Sequence, residues 1–466
     1  MRLRQWQDEC FKASISQYSN PNTHFLCIAC PGAGKTTMAS AVAAHLLNHN
    51  IVDLVICFSP SNAVSRSFKR ELEKQTRGNF DGALGSVGVS YTYQKMLSLP
   101  DSFWQLFERN RVFVILDEIH HCCGQFEQQA NSWGKQLLKQ VKDKALYSLA
   151  LSGTPWRSDR LPMALAEYCS EGVLAHGYLY SLIRAISESV CRIPQIVILD
   201  SDNVTLKSEG STESFTSLTE VIDSAPSAYR DFIYNPIVSN TLVDFAVDRL
   251  NSLRREFSNA GGLVVAASVE HAGSIQRYLF EKHKIKASIV TYLQSNAQEQ
   301  IDAFRQSRDR WIVSVGMISE GTDIPRLMVC CYLSLIRTEM YFRQVLGRIL
   351  RKTTQKTEHS YFYMLADPSL TRFANNLQQE IPTENLIAEI TTEKVSVEHS
   401  HQRLRGERSS DHDLDSSFID SRINIEDSTN DSFSEPSIPR SGLQPVSYSF
   451  GEFRHQLLDL VLESSV

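Results

Sequence analysis

The sequence predicts a two-domain α/β protein with mostly parallel sheets and a disordered acidic C-terminal tail. Short apolar runs rich in β-branched and aromatic residues alternate with longer amphipathic stretches through most of the 466 residues, a pattern typical of βαβ units. The runs form two series with a polar segment between them, which indicates two domains. After residue 400 the composition shifts to Ser and Asp, and such a segment buries too little apolar surface to offset its ordering entropy.

The first series of runs predicts the sheet of an N-terminal domain over residues 1–190. Segments of helical character separate the runs, as a parallel sheet requires. The five predicted strands cover residues 25–30, 54–59, 89–93, 112–118 and 147–154.

The second series predicts another α/β domain over residues 236–380. Residues 191–235 are interpreted as a linker or insertion, because 201–225 are rich in Ser, Thr and acidic residues. The five predicted strands of this domain cover residues 263–268, 287–292, 311–316, 328–334 and 359–365.

The charge is distributed unevenly along the chain. Residues 381–466 carry 7 basic and 16 acidic side chains, which leaves 40 basic and 37 acidic for residues 1–380. A weakly positive body is compatible with nucleic-acid binding. Within the tail, 400–445 are predicted to be disordered, and apolar residues at helical spacing in 450–464 predict a terminal helix that could bind a protein partner.

Membrane insertion is not expected. No apolar run approaches the roughly 20 residues that cross a bilayer, and the first residues lack a signal-peptide pattern. The ten cysteines are scattered and show no disulfide-scaffold spacing. These observations predict a cytoplasmic protein.

A phosphate-binding loop is the clearest functional signal. The segment ACPGAGKTT, residues 29–37, follows an apolar strand run and precedes a helical segment, the setting that such a loop requires. Its glycines let main-chain N–H groups close around phosphates, its lysine reaches the β- and γ-phosphates, and the next hydroxyl is placed for Mg²⁺. The residues predicted to bind the nucleotide here are Pro31, Gly32, Ala33, Gly34, Lys35, Thr36 and Thr37.

A pair of carboxylates ends the apolar run 112–118. Asp117 is predicted to hold Mg²⁺ together with Thr36, directly or through water, and Glu118 to polarise the attacking water. An Asp-Glu pair after a strand is weak evidence alone, but the phosphate loop upstream strengthens it. ATP and Mg²⁺ are the expected ligands.

In their order along the chain, these motifs resemble those of superfamily 2 helicases, and among them the DExH-type motors related to the helicase subunit of type III restriction enzymes. The resemblance covers residues 1 to about 370. It implies two tandem RecA-like P-loop NTPase domains that bind ATP between them.

The resemblance implies further site residues in the N-terminal half. In LRQWQ, residues 3–7, Gln7 matches the glutamine that reads adenine, with Arg4 beside it. Segments 58–65 and 92–94 match motifs that grip the nucleic-acid backbone. SGTP, residues 152–155, is similar to the motif that couples the ATP site to the other domain.

The C-terminal half carries two more matches. SEGTDIP, residues 319–325, resembles the motif that touches ribose and nucleic acid, so Gly321 and Asp323 are assigned to the nucleotide. QVLGRILR, residues 344–351, matches QxxGRxxR, which implies that Arg348 and Arg351 are arginine fingers and that Gln344 is catalytic. On a helix these residues share one face. In isolation, segment 344–351 would be interpreted as an exposed basic surface, but the other elements in the family order favour the motif.

The predicted function is an ATP-dependent nucleic-acid helicase that couples Mg-ATP hydrolysis to unwinding of DNA or movement along it. Nucleic acid is the expected partner, with DNA favoured over RNA. Alternatives are a duplex DNA translocase serving as motor subunit of a restriction or defence complex, an RNA helicase, and a binding or scaffold protein whose ATPase has decayed.

Overall fold

The computed structural model describes residues 3–19, 24–124, 126–128, 130–154, 161–168, 174–208, 211–318, 324–352, 359–379, 386–394, 399–402 and 445–459. The chain forms two compact units, and the first boundary between them lies between Cys191 and Arg192. We call these the first and second units. Both are α/β, and each contains a mostly parallel RecA-like sheet, as the sequence predicts. No helix in the described ranges combines the length and hydropathy that a membrane span needs.

The described part of the first unit is built on a parallel sheet in the order β3-β2-β4-β5-β1-β6. The five predicted strands are all present, at β1 to β5. The elements in chain order are α1 (Gln5–Tyr18), β1 (His24–Ala29), α2 (Lys35–Asn48), β2 (Leu54–Ser59), α3 (Asn62–Thr76), β3 (Gly88–Thr92), α4 (Tyr93–Leu97), α5 (Asp101–Trp104), α6 (Leu106–Arg109), β4 (Val112–Leu116), a 3-10 turn (Ile119–His121), α7 (Ser132–Gln140), β5 (Tyr147–Ser152), β6 (Tyr178–Tyr180) and α8 (Leu182–Ser187).

Strand order decides where the functional segments of the first unit lie. Strand β5 pairs on one side with β1 and on the other with β4. Because parallel strands end at the same edge of a sheet, the segments after β1, β5 and β4 emerge side by side. These are the phosphate loop, the residues after Ser152, and the Asp117-Glu118 pair.

The described part of the second unit has a larger sheet in the order β11-β12-β10-β13-β14-β7-β18-β15 and a smaller one in the order β16-β17-β8-β9. Its five predicted strands are also present. The elements are β7 (Ile193–Ser201), β8 (Val204–Ser208), β9 (Ser211–Phe215), α9 (Leu218–Ser224), α10 (Ala228–Tyr234), α11 (Pro236–Glu256), β10 (Gly261–Ala266), α12 (Val269–His283), β11 (Ser288–Thr291), α13 (Ala297–Gln306), β12 (Trp311–Val315), β13 (Leu327–Leu333), α14 (Glu339–Ile349), β14 (His359–Leu365), α15 (Pro368–Gln379), β15 (Leu386–Lys394), β16 (His399–Gln402), β17 (Pro445–Phe450) and β18 (Glu452–Asp459).

Residues 191–235, interpreted from sequence as a linker or insertion, contribute ordered elements to the second unit. Strand β7 runs parallel to β14 in the larger sheet, and β8 and β9 form an antiparallel pair in the smaller one. The Ser and Thr content that suggested a linker belongs to an antiparallel pair whose residues are partly exposed. Such strands need only one apolar face, which explains the misleading composition.

The terminal helix predicted for 450–464 is wrong in the residues that the structure describes. Strand β17 pairs with β8, and β18 pairs antiparallel with β7, placing Phe453 opposite Ser201 and Leu457 opposite Val197. The free edge of β7 supplies main-chain partners that the local sequence does not reveal. The predicted disordered stretch lies mostly at 403–444, outside the described residues.

Candidate nucleotide site and basic segment

The phosphate loop has the backbone that its glycines predict. Gly32 and Gly34 have φ values of +84° and +101°, which are left-handed conformations that glycine adopts without a steric penalty. Gly34 is the N-cap of α2, so the helix begins at Lys35. The loop therefore delivers the N–H groups of the first turn of a 14-residue helix to the carboxyl edge of the sheet.

Two side chains of the N-terminal segment hold this loop. The Arg4 guanidinium donates to the Ala33 carbonyl at 2.7 Å, and the Gln7 amide donates to the Gly34 carbonyl at 2.9 Å. The Gln7 carbonyl oxygen accepts from the Arg4 main-chain N–H at 2.9 Å. The structure thus gives Gln7 a role in fixing the loop, which the sequence did not reveal, while its contact with adenine stays a prediction.

Helix α1, which carries Arg4 and Gln7 at its start, is anchored to β6. The Trp6 ring stacks on Tyr180 with 4.6 Å between ring centroids, and both rings are buried. Arg184 bonds Glu9 at 2.7 Å, and the Tyr178 hydroxyl also donates to Glu9 at 2.6 Å. These bonds, that of Tyr178 first, lower the pKa of Glu9 to about 2, so the carboxylate stays ionised.

The predicted catalytic lysine and glutamate lie together at the mouth of the loop. The Lys35 ammonium is 3.4 Å from the Glu118 carboxylate and donates to the Ala29 carbonyl at 3.1 Å. The lysine side chain is 9% exposed, whereas that of Glu118 is 25% exposed and accessible to water. The Gly153 N–H donates to the other Glu118 oxygen at 3.1 Å. Segments following three neighbouring strands therefore converge on one carboxylate.

The backbone conformation of Glu118 is also uncommon for a residue other than glycine. Its φ of +49° and ψ of +55° are left-handed, a conformation that costs energy in a residue with a side chain and is concentrated at functional sites. The preceding residue, Asp117, is held at both main-chain polar groups. Its N–H donates to the Phe58 carbonyl and its carbonyl accepts from the Tyr93 hydroxyl, each at 2.9 Å. The main chain that carries the adjacent Asp117 and Glu118 carboxylates is therefore held in place by hydrogen bonds.

Tyr93 belongs to segment 92–94, which the resemblance assigned to the nucleic-acid backbone. Its side chain is fully buried, so this tyrosine supports Asp117 and does not face a ligand. Burial also raises the pKa of its hydroxyl, which remains a donor.

His120 connects the carboxylate turn to the end of β5. Its Nδ1 lies 3.0 Å from the Ser152 hydroxyl, 3.4 Å from the Thr154 hydroxyl and 3.5 Å from a Glu118 oxygen. The sequence did not reveal this role of the histidine, because the hydroxyls that it contacts are 32 and 34 residues away in the chain. Pro155 lies outside the described residues.

The donor set of the first unit fits Mg-ATP. Positive-φ glycines, a helix N-terminus and a lysine suit a phosphate chain, and the Thr36 hydroxyl and Asp117 carboxylate are oxygen ligands of the kind that Mg²⁺ prefers. Thr36 and Thr37 are partly exposed in the first turn of α2. Pro31 contacts Cys191 through its carbonyl, 4.0 Å from the thiol sulfur.

The basic segment 344–351 lies in the second unit, at and just beyond the end of α14. Gln344 is buried, while Arg348 and Arg351 are partly exposed. The helix ends at Ile349 with Leu350 as C-cap, so Arg351 follows the helix instead of extending its face as the sequence predicts. Gly321 and Asp323 lie outside the described residues.

Comparisons with known proteins match both halves of the chain. An AAA domain matches residues 19–161, and a helicase conserved C-terminal domain matches residues 246–353. Uncharacterized proteins of Mycobacterium leprae and Mycobacterium tuberculosis are 27% and 28% identical to the chain, over 81% of it in each case. The match covers 64% and 63% of those proteins, so the chain spans less than two thirds of the length of these relatives.

A solved structure shares the fold. It is a fragment described as an HsdR subunit of a type I restriction enzyme from Vibrio vulnificus, with a TM-score of 0.53 and 16% identity. The superposition covers 80% of this chain and 65% of that one.

Proposed function

We propose that this chain is a superfamily 2 helicase, which hydrolyses Mg-ATP to move along or unwind DNA. The observation that carries the proposal is the convergence of Lys35 and the Gly153 N–H on the Glu118 carboxylate, beside the phosphate loop. A lysine, a helix N-terminus and an accessible carboxylate supply charge neutralisation and a base for water, which are the protein's main contributions to phosphoryl transfer.

In the first unit, the loop 31–37 binds the phosphates and Lys35 neutralises charge that develops on the γ-phosphate. Glu118 orients the attacking water and accepts its proton. Thr36 and Asp117 would hold Mg²⁺, which supplies further charge neutralisation when bound. Arg4 and Gln7 keep the loop in its binding conformation through Ala33 and Gly34.

In the second unit, Arg348 and Arg351 act on the transition state as arginine fingers, with Gln344 beside them. The resemblance also assigns Gly321 and Asp323, of segment 319–325, to the nucleotide. These roles come from the motif match. The partial exposure of both arginines is compatible with them.

DNA is the proposed track, because the motif order resembles that of restriction-enzyme motors. Movement along duplex DNA without strand separation is the second candidate, favoured by the same resemblance. We also propose a cytoplasmic location, because the ten cysteines of the sequence are scattered and show no disulfide-scaffold spacing.

The test is ATP turnover of the full chain without nucleic acid and with single-stranded DNA, duplex DNA and RNA. Lys35→Ala should abolish turnover while leaving the Tm near that of the wild type. Glu118→Gln should bind ATP but hydrolyse it slowly, since an amide is a far weaker base. Wild-type turnover by Lys35→Ala would refute the phosphate-loop assignment.

Two further assays separate the candidates. Release of a labelled strand from a partial duplex reports unwinding, and displacement of a triplex-forming strand from intact duplex reports translocation. Turnover stimulated by RNA and not by DNA would contradict the choice of DNA.

A further inference from the structure

The first residue of the second unit, Arg192, is a buried arginine bound to main-chain carbonyls. Its side chain is 1% exposed. The guanidinium donates to the carbonyls of Leu327 at 2.8 Å, Ile349 at 3.0 Å and Pro325 at 3.1 Å. Burying a charged group is costly unless hydrogen bonds satisfy it, and a planar fork of donors can serve several carbonyls at once. The position therefore demands an arginine.

Two of the carbonyls that Arg192 holds belong to the end of α14. Its guanidinium donates to the carbonyl of Ile349, the last helical residue. Its main-chain N–H donates to the carbonyl of Leu350 at 2.7 Å. Leu350 has φ −78° and ψ −16°, so the helix does not end in the left-handed residue that commonly supplies the closing bonds. Carbonyls of the last turn need partners, and a cation there is favoured by the helix dipole.

These bonds lie directly beside the two arginines assigned as fingers. Ile349 follows Arg348, and the Leu350 carbonyl belongs to the same peptide plane as the Arg351 N–H. Because a peptide group is planar, the 2.7 Å bond from Arg192 also restrains the orientation of the main chain at the start of Arg351.

The other two carbonyls connect this end of the helix to the start of β13. Pro325 closes the 319–325 segment, and Leu327 is the first residue of β13. One guanidinium therefore joins the last residue of segment 319–325 to the end of α14, about 20 residues further along the chain.

We propose that Arg192 is a positioning residue, which sets the geometry of the finger segment by fixing the main chain at 325–327 and 349–350. The inference rests on the proposed function, because the fingers are part of it. Arg192 contacts neither the nucleotide nor the reacting atoms in this role, and it acts through Arg348 and Arg351.

The test compares Arg192→Lys and Arg192→Gln with a control, Arg254→Lys. Arg254 is half-buried, and its guanidinium donates to the carbonyls of Ala260 and Arg308, which lie outside both 325–327 and α14. Lysine retains the charge but replaces the fork by a point donor. Folding is checked by circular dichroism, and kcat, KM and nucleotide Kd are measured with DNA present, below the Tm of each variant.

Arg192→Lys should lower kcat by about tenfold to a hundredfold, the scale of a small misplacement of catalytic groups, with nucleotide Kd within about twofold. Arg254→Lys should lower the Tm without a comparable loss of kcat. In an Arg348→Ala, Arg351→Ala background, adding Arg192→Lys should change kcat by less than about twofold, because the groups it positions are already gone.

Equal losses of kcat in the Arg192 and Arg254 variants would overturn the inference, as would full additivity in the background that lacks Arg348 and Arg351. So would failure of both Arg192 variants to fold, which would make the residue a requirement of the fold alone. Failure of the proposed function would give a different result. The wild type would then show no DNA-stimulated turnover, or the Arg348 and Arg351 variants would turn over ATP as fast as the wild type.

Discussion

At the residue scale, the phosphate loop depends on a position where a single added carbon atom would disturb its geometry. This position is Gly34. Its φ is +101°, and a Cβ built on it would lie 2.8 Å from the Gln7 amide nitrogen that holds the loop. Any side chain would therefore both strain the backbone and displace that contact.

Gly34→Ala should destabilise the first unit by about 1–2 kcal/mol and weaken ATP binding, because a left-handed L-residue costs about that much. Gly273 is the control, since a Cβ there meets nothing within 4 Å and the residue lies inside α12. Gly273→Ala should stabilise by up to about 1 kcal/mol. Chemical denaturation and nucleotide titration measure both, and equal effects of the two changes would contradict the role of Gly34.

A buried histidine makes the stability of the second unit depend on pH. Burial lowers the pKa of His271 from 6.5 to about 4, and its Nδ1 accepts from the Ala267 N–H at 3.3 Å. As pH falls below about 6.5, the unfolded chain takes up the proton first. The contribution of neutral His271 to the free energy of unfolding is therefore fully present above about pH 6.5 and is lost as pH falls toward 4.

Going from about pH 7.5 to about pH 5 should cost about 2 kcal/mol through this residue. His271→Asn retains an acceptor for the Ala267 N–H and should remove that part of the pH dependence in urea unfolding. Burial also lowers the pKa of His24 in the first unit to about 4, so some pH dependence should remain. An unchanged slope in the variant would refute the assignment to His271.

At the element scale, the C-terminal strands are part of the second unit. Tyr448, Phe450 and Phe453 are buried, and the Tyr448 hydroxyl donates to Asp231 at 2.8 Å. Strand β18 covers the edge of β7 along its length. Removing these strands would expose that edge and empty three aromatic sites of the core.

Ending the chain at residue 444 should unfold the second unit or leave it aggregation-prone. Loss of one buried aromatic costs about 3–5 kcal/mol, and three of them approach the whole stability of a domain. Excising 403–444 is the matched variant, since Gln402 and Pro445 face each other across β16 and β17 and a short turn can join them. That excision should leave the Tm nearly unchanged, and the opposite order of stabilities in thermal unfolding would refute the strand assignment.

At the scale of the whole molecule, the two units contribute different parts of the proposed reaction. The first unit holds the phosphate loop and its carboxylates, and the second carries Arg348 and Arg351. Ground-state nucleotide binding should therefore depend mainly on the first unit, and the rate of hydrolysis on both.

Arg348→Ala and Arg351→Ala should lower kcat by about 10³ to 10⁵ while changing nucleotide Kd far less, as expected for contacts made mainly in the transition state. DNA stimulation of turnover should disappear with them. Arg372→Ala, an exposed arginine on α15, serves as the control and should behave as the wild type. If both variants hydrolyse ATP at near wild-type rates with DNA present, the arginine-finger assignment is wrong and 344–351 is only a basic surface.

The sequence by itself determined the ten core strands, the phosphate loop and the carboxylates that end β4. These features depend on local patterns: apolar runs of strand length, glycines where the backbone must turn left-handed, and polar residues at a strand's end. Both the RecA-like fold and the first unit's site follow from such patterns, because the order of parallel strands brings their ends together.

Tertiary structure alone decided the conformation of the C-terminal strands and the partners of the buried polar groups. Residues 450–464 have apolar positions at spacings that suit a helix, and only pairing with the edge of β7, about 250 residues earlier, makes Glu452–Asp459 a strand. Likewise, nothing near Arg192 in the sequence reveals that its guanidinium closes α14, because the carbonyls it binds lie more than 130 residues away. Hydrogen bonds between distant segments form only once the chain has folded, so local patterns could not predict them.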